Sequence, residues 1–371
     1  MRIAFYAPLK PPDHPVPSGD RNIARALMQA LAAAGHDVVL ASRFRSLDSR
    51  GDEKRQLRLH ALGDRLAARL ASRLPGDRPD AWFTYHVHHK APDLLGPYVS
   101  RALGIPYVIA EASVAAKQRS GPWSAGYARA CMAVRAADLV VSLNPADDAG
   151  VAEARPAGAA MASLAPFIDV AGFAGAAVPP ARIPRAPVRL VTVAMMRHRA
   201  KLASYRVLAA ALESLRDLDW ELAIVGDGPA RADVEAAFAH VRDRVTLLGA
   251  KEPMVIASLL QASDVFLWPA IDEAIGLVFL EAQACGVPVV GAATPGVAAV
   301  VSAEHTGLLV PAGNVAAFAA ATRRLVTDAA LRGRMAAAAF ARVRAHHDVP
   351  HAAAQLDVLL RRACAAHRVA A

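Results

Sequence analysis

The sequence predicts an α/β fold built from two doubly wound domains. Short β-branched runs alternate with alanine- and leucine-rich stretches of helical period along the chain. The alternation stops at "AGFAGAAVPPARIPRAP" and then restarts. The 371 residues, 55% of them hydrophobic, are enough for more than one core. Strands separated by helices imply parallel sheets covered on both faces.

In chain order, "RIAFYA" reads as a first strand and "DRNIARALMQALAAAG" as a helix, followed by strands at "HDVVLA", "AWFTYHV", "PYVIAE" and "DLVVSLN". These make a first domain over residues 1–173. The Pro- and Ala-rich passage is a linker over 174–187. A second domain, 188–351, restarts with "VRLVTVA", "WELAIVG", "RVTLLG", "DVFLWP" and "VPVVGA". The last stretch, "AAAQLDVLLRRACAAH" within 352–371, is a lone amphipathic helix that suits either domain, and packing back on the first is one option. Ligands of such sheets bind beyond the carboxyl ends of the strands, so two Rossmann-like rims facing a central cleft are where chemistry is expected.

Composition narrows the function. No run of about 18 apolar residues is free of charge or proline, which argues against a spanning helix. "MRIAFYAPLK" is too short for a signal segment, so a cytoplasmic location is expected, the inner face of the membrane included. Cys131, Cys285 and Cys364 show no CxxC spacing and read as apolar filler rather than a disulfide or zinc framework. A net charge of +9 favours an anionic partner, although biased codon composition gives the same excess. The arginine-rich run from Arg43 to Arg78 is either a solvated face or a peripheral surface for anionic lipids. Nucleic acid is not expected, because interleaved aromatics and any recognised module are missing.

The densest chemistry lies in "DEAIGLVFLEAQACGVPVVG", residues 272–291. "DVFLWP" is a strand, "AIDEAIG" the loop at its carboxyl end, and "LVFLEAQACG" a helix closed by Gly286. Glu273 then stands at the rim and Glu281 one to two turns into the helix. Gly276 admits close backbone approach, and the free amides at the helix start suit a phosphate. The Asp217–Asp219 pair falls at a turn rather than a metal site. "VGDGPAR" lacks the third glycine of a dinucleotide fingerprint, having Arg231 there. In the first half, Gly19 is followed by Asp20, a candidate helix N-cap, and by Arg21, whose charge opposes the helix dipole unless an anion binds. Alternation puts His86 and His88 on one face; zinc would need a further ligand cluster that the sequence does not supply.

The 272–291 string resembles the donor-binding signature of family four glycosyltransferases, retaining enzymes of the GT-B fold. "LAPFIDVAGF", "ELAIVGDGPARADVEA", "RVTLLGAKEPMVIASLLQASDVFLWP" and "AATPGVAAVVSAEHTGLLVPAGN" are similar to the segments around it. The resemblance implies a UDP- or GDP-sugar donor held by the second domain and a hexosyltransferase-like activity that requires neither metal nor cofactor. It assigns the ribose to Glu281, the donor sugar to Glu273, and the diphosphate to the backbone of Ala274, Ile275, Gly276 and Leu277. Gly226 belongs to the family's glycine turn, and Gly19 and Arg21 to a first-domain loop near the diphosphate. Lys201 matches a phosphate-neutralising lysine. The usual arginine position is Met195, which leaves Arg197 or Arg199 as its substitute, and Ala299 stands where relatives often carry glutamate. His86 and His88 would line the acceptor side, with Glu111 where a histidine is usual, either orienting an acceptor hydroxyl or pairing with Lys117 or Arg119. The acceptor is unnamed, with glycans and lipid-linked molecules as candidates. A nucleotide-sugar 2-epimerase of the same fold and a non-catalytic sugar- or partner-binding GT-B protein are the alternatives.

Overall fold

The computed structural model describes residues 1–16, 18–73, 78–175 and 186–370. Most of the stretch read as a linker, 176–185, lies outside the described residues. The chain forms two compact units, Met1–Leu164 with Val349–Ala371, and Ala165–Asp348.

In the first unit, β1 (Arg2–Tyr6), α1 (Gly19–Ala33), β2 (Asp37–Ser42), α2 (Glu53–Arg73), β3 (Ala81–His88), α3 (Gly96–Leu103), β4 (Tyr107–Ser113), α4 (Ser124–Ala136), β5 (Leu139–Ser142), α5 (Asp148–Ala154) and β6 (Ala160–Ser163) alternate. The strands form one parallel sheet in the order β2-β1-β3-β4-β5-β6. The order reverses at β1, so right-handed crossovers put α2, α3 and α4 on one face, where they pack on each other. The inner strands are apolar nearly throughout, because both their faces are covered.

The second unit contains α6 (Val170–Ala174), β7 (Val188–Val193), α7 (Ala200–Glu213), β8 (Trp220–Val225), α8 (Arg231–Ala237), β9 (Val245–Gly249), α9 (Pro253–Gln261), β10 (Val265–Trp268), α10 (Leu277–Ala284), β11 (Val289–Ala292), α11 (Pro295–Ala298), β12 (Gly307–Val310), α12 (Val315–Thr327) and α13 (Ala329–His346). Its sheet runs β12-β11-β10-β7-β8-β9, again parallel. Residues 165–175 join this unit: the Ile168 amide donates to the His347 carbonyl at 3.0 Å and the Val170 amide to Asp348 Oδ1 at 3.1 Å. The final helix, α14 (Val349–Ala370), returns to the first unit and packs on α1. It buries Leu356 and Leu360, and His367 meets Asp138 at 2.9 Å.

Each sheet has one strand beyond the five read from sequence. The added strands, β6 and β12, lie at sheet edges, and β6, "AMAS", is half-exposed or exposed along its length, so it needs no apolar run to advertise it.

Candidate functional site

In the second unit the strand order turns at the adjacent pair β7 and β10, and ligands of doubly wound sheets bind beyond the carboxyl ends of the strands at such a turn. Lys201 lies in the first turn of α7, after β7, and Glu273 in the loop after β10. The crossovers bring them together: Lys201 Nζ donates to Glu273 Oε2 at 2.5 Å, and Trp268 Nε1 donates to the same oxygen at 3.2 Å. The ammonium also lies 5.3 Å from the Trp268 ring centroid, a cation–π distance. Ser204 Oγ ties the loop down by accepting from the Ile271 amide at 3.0 Å while donating to the Ala200 carbonyl at 2.9 Å.

The loop itself is strained. Ala270 and Asp272 both adopt φ of 52°, and Gly276, at φ 70°, precedes α10. Left-handed backbone at non-glycine residues costs about 1–3 kcal/mol each and persists where surrounding structure holds it. Gly296 in α11 explains part of that hold, since a Cβ there would overlap the Ala274 carbonyl oxygen. Among the described residues, the amides of Ala274, Ile275, Gly276 and Leu277 donate to no acceptor. An anion is the natural complement of such a group at a helix start.

Glu281, on the second turn of α10, has no hydrogen-bond or ion-pair partner for its side chain among the described residues. It keeps partial exposure, yet burial pushes its carboxyl up to about 7. It does not meet Glu273. Met195 and Arg197 are exposed on either side of buried Met196, and the Arg197 guanidinium, like that of Arg199, has no partner among the described residues. Gly226 ends β8 at φ 148°, where a Cβ would overlap the Ala194 carbonyl oxygen, so its glycine is required by strand packing irrespective of ligand. Asp217 is occupied by the Arg323 guanidinium, with bonds of 2.6 and 2.9 Å.

The first unit repeats the arrangement at its own reversal, between β1 and β3. Asp20, after β1, accepts from or shares a proton with His86 Nδ1 at 2.9 Å. The expected N-cap is therefore corrected: Ser18 caps α1, accepting from the Arg21 amide at 3.3 Å, because Asp20 is engaged by the histidine. Arg21 turns back, and Nη1 donates to the His14 carbonyl at 2.9 Å, so local carbonyls relieve part of the dipole conflict. Gly19 is exposed, and a Cβ there meets nothing within 4 Å, so packing gives no reason for a glycine.

His86 and Glu111 stand opposite each other where β3 and β4 pair, between Tyr85↔Ala110 and Val87↔Ala112. Both are left-handed, φ 61° and 65°. His88 packs its ring edge-on to His86, 4.7 Å between centroids, and accepts from the Lys90 amide through Nδ1 at 3.1 Å. Burial, then the neighbouring histidines, hold His88 well below the usual imidazole range. Glu111 is buried and accepts from the Leu143 amide at 3.1 Å. Its pairing with Lys117 or Arg119 is not found among the described residues. Burial raises its carboxyl to about 7, with Asp147 adding to the rise and His86 opposing it. For Asp20, burial pulls upward, but the His86 bond and charge outweigh it and the net shift is downward. Among the described residues no group of three His, Cys, Asp or Glu is arranged to hold a metal ion.

Sequence reasoning did not single out Trp268, Ser204 or the Asp20–His86 pair. Their signals are positional: Trp268 is the last residue of a strand, where an indole N–H reaches a rim carboxylate, and the other two contacts join residues 67 and 66 positions apart.

Residues 187–328 match the family described as glycosyl transferases group 1. The chain is 39% identical over 146 residues to D-inositol 3-phosphate glycosyltransferase of Stackebrandtia nassauensis, covering 36% of this chain and 33% of that protein. It is 34% identical over 131 residues to N-acetyl-alpha-D-glucosaminyl L-malate synthase of Bacillus anthracis, 35% of this chain and 34% of that one. The match thus spans about a third of the length of these curated relatives. Over nearly its whole length the chain superposes on sucrose-phosphate synthase from Thermosynechococcus elongatus, with a TM-score of 0.74, 21% identity and coverage of 99% and 100%. HepE from Anabaena, solved with UDP-glucose, gives 0.69, 18%, 98% and 100%. At these identities the superpositions establish the fold, a two-domain Rossmann-like GT-B architecture. Over residues 187–328, in its second unit, the chain is thus similar to the group 1 glycosyltransferases.

Proposed function

We propose that the protein is a retaining glycosyltransferase that takes a UDP- or GDP-sugar in its second unit and passes the glycosyl group to a hydroxyl of a glycan or lipid-linked acceptor. The observation that carries this reading is the row of amides without acceptors from Ala274 to Leu277, with the Lys201–Glu273 pair before it and the partnerless Glu281 after it. HepE was solved with UDP and with UDP-glucose, which supports a nucleotide-sugar donor. The relatives named above act, by name, on an inositol phosphate and form a malate glycoside. Their likeness to this chain despite different acceptors supports a shared donor-handling segment.

In this reading the diphosphate lies against the α10 amides and Glu281 accepts from ribose hydroxyls. Breaking the sugar–phosphate bond builds negative charge on the departing oxygen. Lys201, Arg197 and the fixed amides meet that charge without solvent reorganisation, which makes them worth more in the transition state than in the ground state. Glu273 keeps Lys201 aimed at the crevice and orients the donor sugar through its remaining acceptor capacity. In the first unit, Gly19 and Arg21 are assigned to phosphate and His86, His88 and Glu111 to the acceptor hydroxyl.

Release of nucleotide from UDP- and GDP-sugars tests the reading. Lys201→Ala and Glu273→Ala are each expected to lower kcat by roughly 10²- to 10³-fold, and a chelator is expected to leave the rate unchanged. Full turnover in Glu273→Ala would reject the proposal.

A further inference from the structure

The cations of this protein are not spread evenly. Helices α2, α3 and α4, which lie together on one face of the first sheet, carry Lys54, Arg55, Arg58, Arg65, Arg69, Arg73, Arg101, Arg129 and Arg135 against only Glu53 and Asp64. That excess of seven accounts for most of the net charge of +9. Elsewhere several arginines are neutralised in place, Arg231 by Asp227 and Glu235, Arg323 by Asp217, Arg324 by Glu304 and Arg361 by Asp357. On the α2–α4 face one ion pair is formed, Arg129 with Asp64 at 2.8 Å, and Lys54, Arg58, Arg65, Arg69, Arg73 and Arg101 have no acidic partner among the described residues.

The helix geometry orders these charges. Over its 21 residues α2 buries only Gln56, Gly63 and Ala67. At about 100° per residue, Lys54, Arg58, Arg65 and Arg69 fall within roughly 60° of arc on the opposite side. Leu57 and Leu62 flank that stripe and are 56% and 38% exposed. On the neighbouring helices Tyr98 and Met132 are 44% and 56% exposed. They line a recess of about 700 Å3 together with Asp64, Arg101, Arg129 and Arg135. Unpaired cations interspersed with protruding apolar and aromatic side chains fit an interface in which phosphates lie above hydrocarbon.

We propose that the α2–α4 face of the first unit docks peripherally on an anionic phospholipid surface. Arg58, Arg65 and Arg69 meet lipid phosphates, while Leu57, Leu62, Tyr98 and Met132 enter the headgroup boundary. The inference is independent of the donor reading, since none of these residues belongs to the β10–α10 site.

Sedimentation of the full chain with vesicles tests it, using phosphatidylcholine alone and phosphatidylcholine with about 30% phosphatidylglycerol, in the range where polybasic binding is measurable. Binding is expected only to the anionic vesicles. The triple variant R58Q/R65Q/R69Q should lose it by on the order of 100-fold, with an unchanged circular dichroism spectrum and unchanged nucleotide binding. Leu57→Ser with Leu62→Ser is expected to weaken vesicle binding without altering retention on heparin. Equal binding to neutral vesicles, an unaffected triple variant, or retention on heparin and RNA with no vesicle binding would each overturn the proposal.

Discussion

Glu111 joins backbone strain, burial and an upward-shifted acid in one residue. Its carboxyl titrates at about 7 in the fold against an ordinary 4.5. Between those values the folded chain holds a proton that the unfolded chain has released. Its contribution to stability is complete below the unfolded value and is lost as pH rises through about 7, a swing of about 3 kcal/mol by linkage. Glu111→Gln, which resembles the protonated acid, should match the parent in urea melts at about pH 4 and exceed it by up to that amount at about pH 8.5. An equal difference at both values would show that the carboxyl is not held protonated. Both glutamates of the 272–291 string were legible from sequence, because a glutamate in an apolar run needs a reason. What Glu273 binds was not, since Lys201 lies 72 positions earlier and Trp268 looks like ordinary strand filling.

At the level of elements, both units put an acid–base contact where the strand order turns, Asp20 with His86 and Glu273 with Lys201. Alternating strands and helices announce such crevices, but the order of strands within a sheet comes from pairing between distant segments and leaves little trace in local pattern. Edge strand β6 escaped notice for a related reason, lacking the two covered faces that force an apolar run. The loop between β10 and α10 depends on its support from α11. Gly296→Ala would drive a methyl group into the Ala274 carbonyl, displacing the strained loop and its free amides. Its affinity for UDP or GDP is expected to fall by roughly tenfold or more, with a melting temperature lowered by several degrees. Unchanged affinity would mean that the loop conformation is not what binds.

Across the whole molecule, charge and chemistry are partitioned. The first unit carries a cation-rich helical layer and a polar cluster at its strand ends, and the second carries the segment similar to group 1 glycosyltransferases with its amide row. Net charge alone foretold an anionic partner without distinguishing a bound nucleotide from an extended surface, because composition does not say which arginines have partners. Nucleotide binding by the second unit is read by calorimetric titration with UDP and GDP. One of the two should bind, more tightly as pH rises through about 7 because hydroxyl donors favour the ionised Glu281. Glu281→Ala should weaken that binding by roughly 10- to 100-fold and remove its pH dependence. Absence of heat with both nucleotides, or equal affinity in Glu281→Ala, would mean that the α10 amides and Glu281 do not hold a nucleotide.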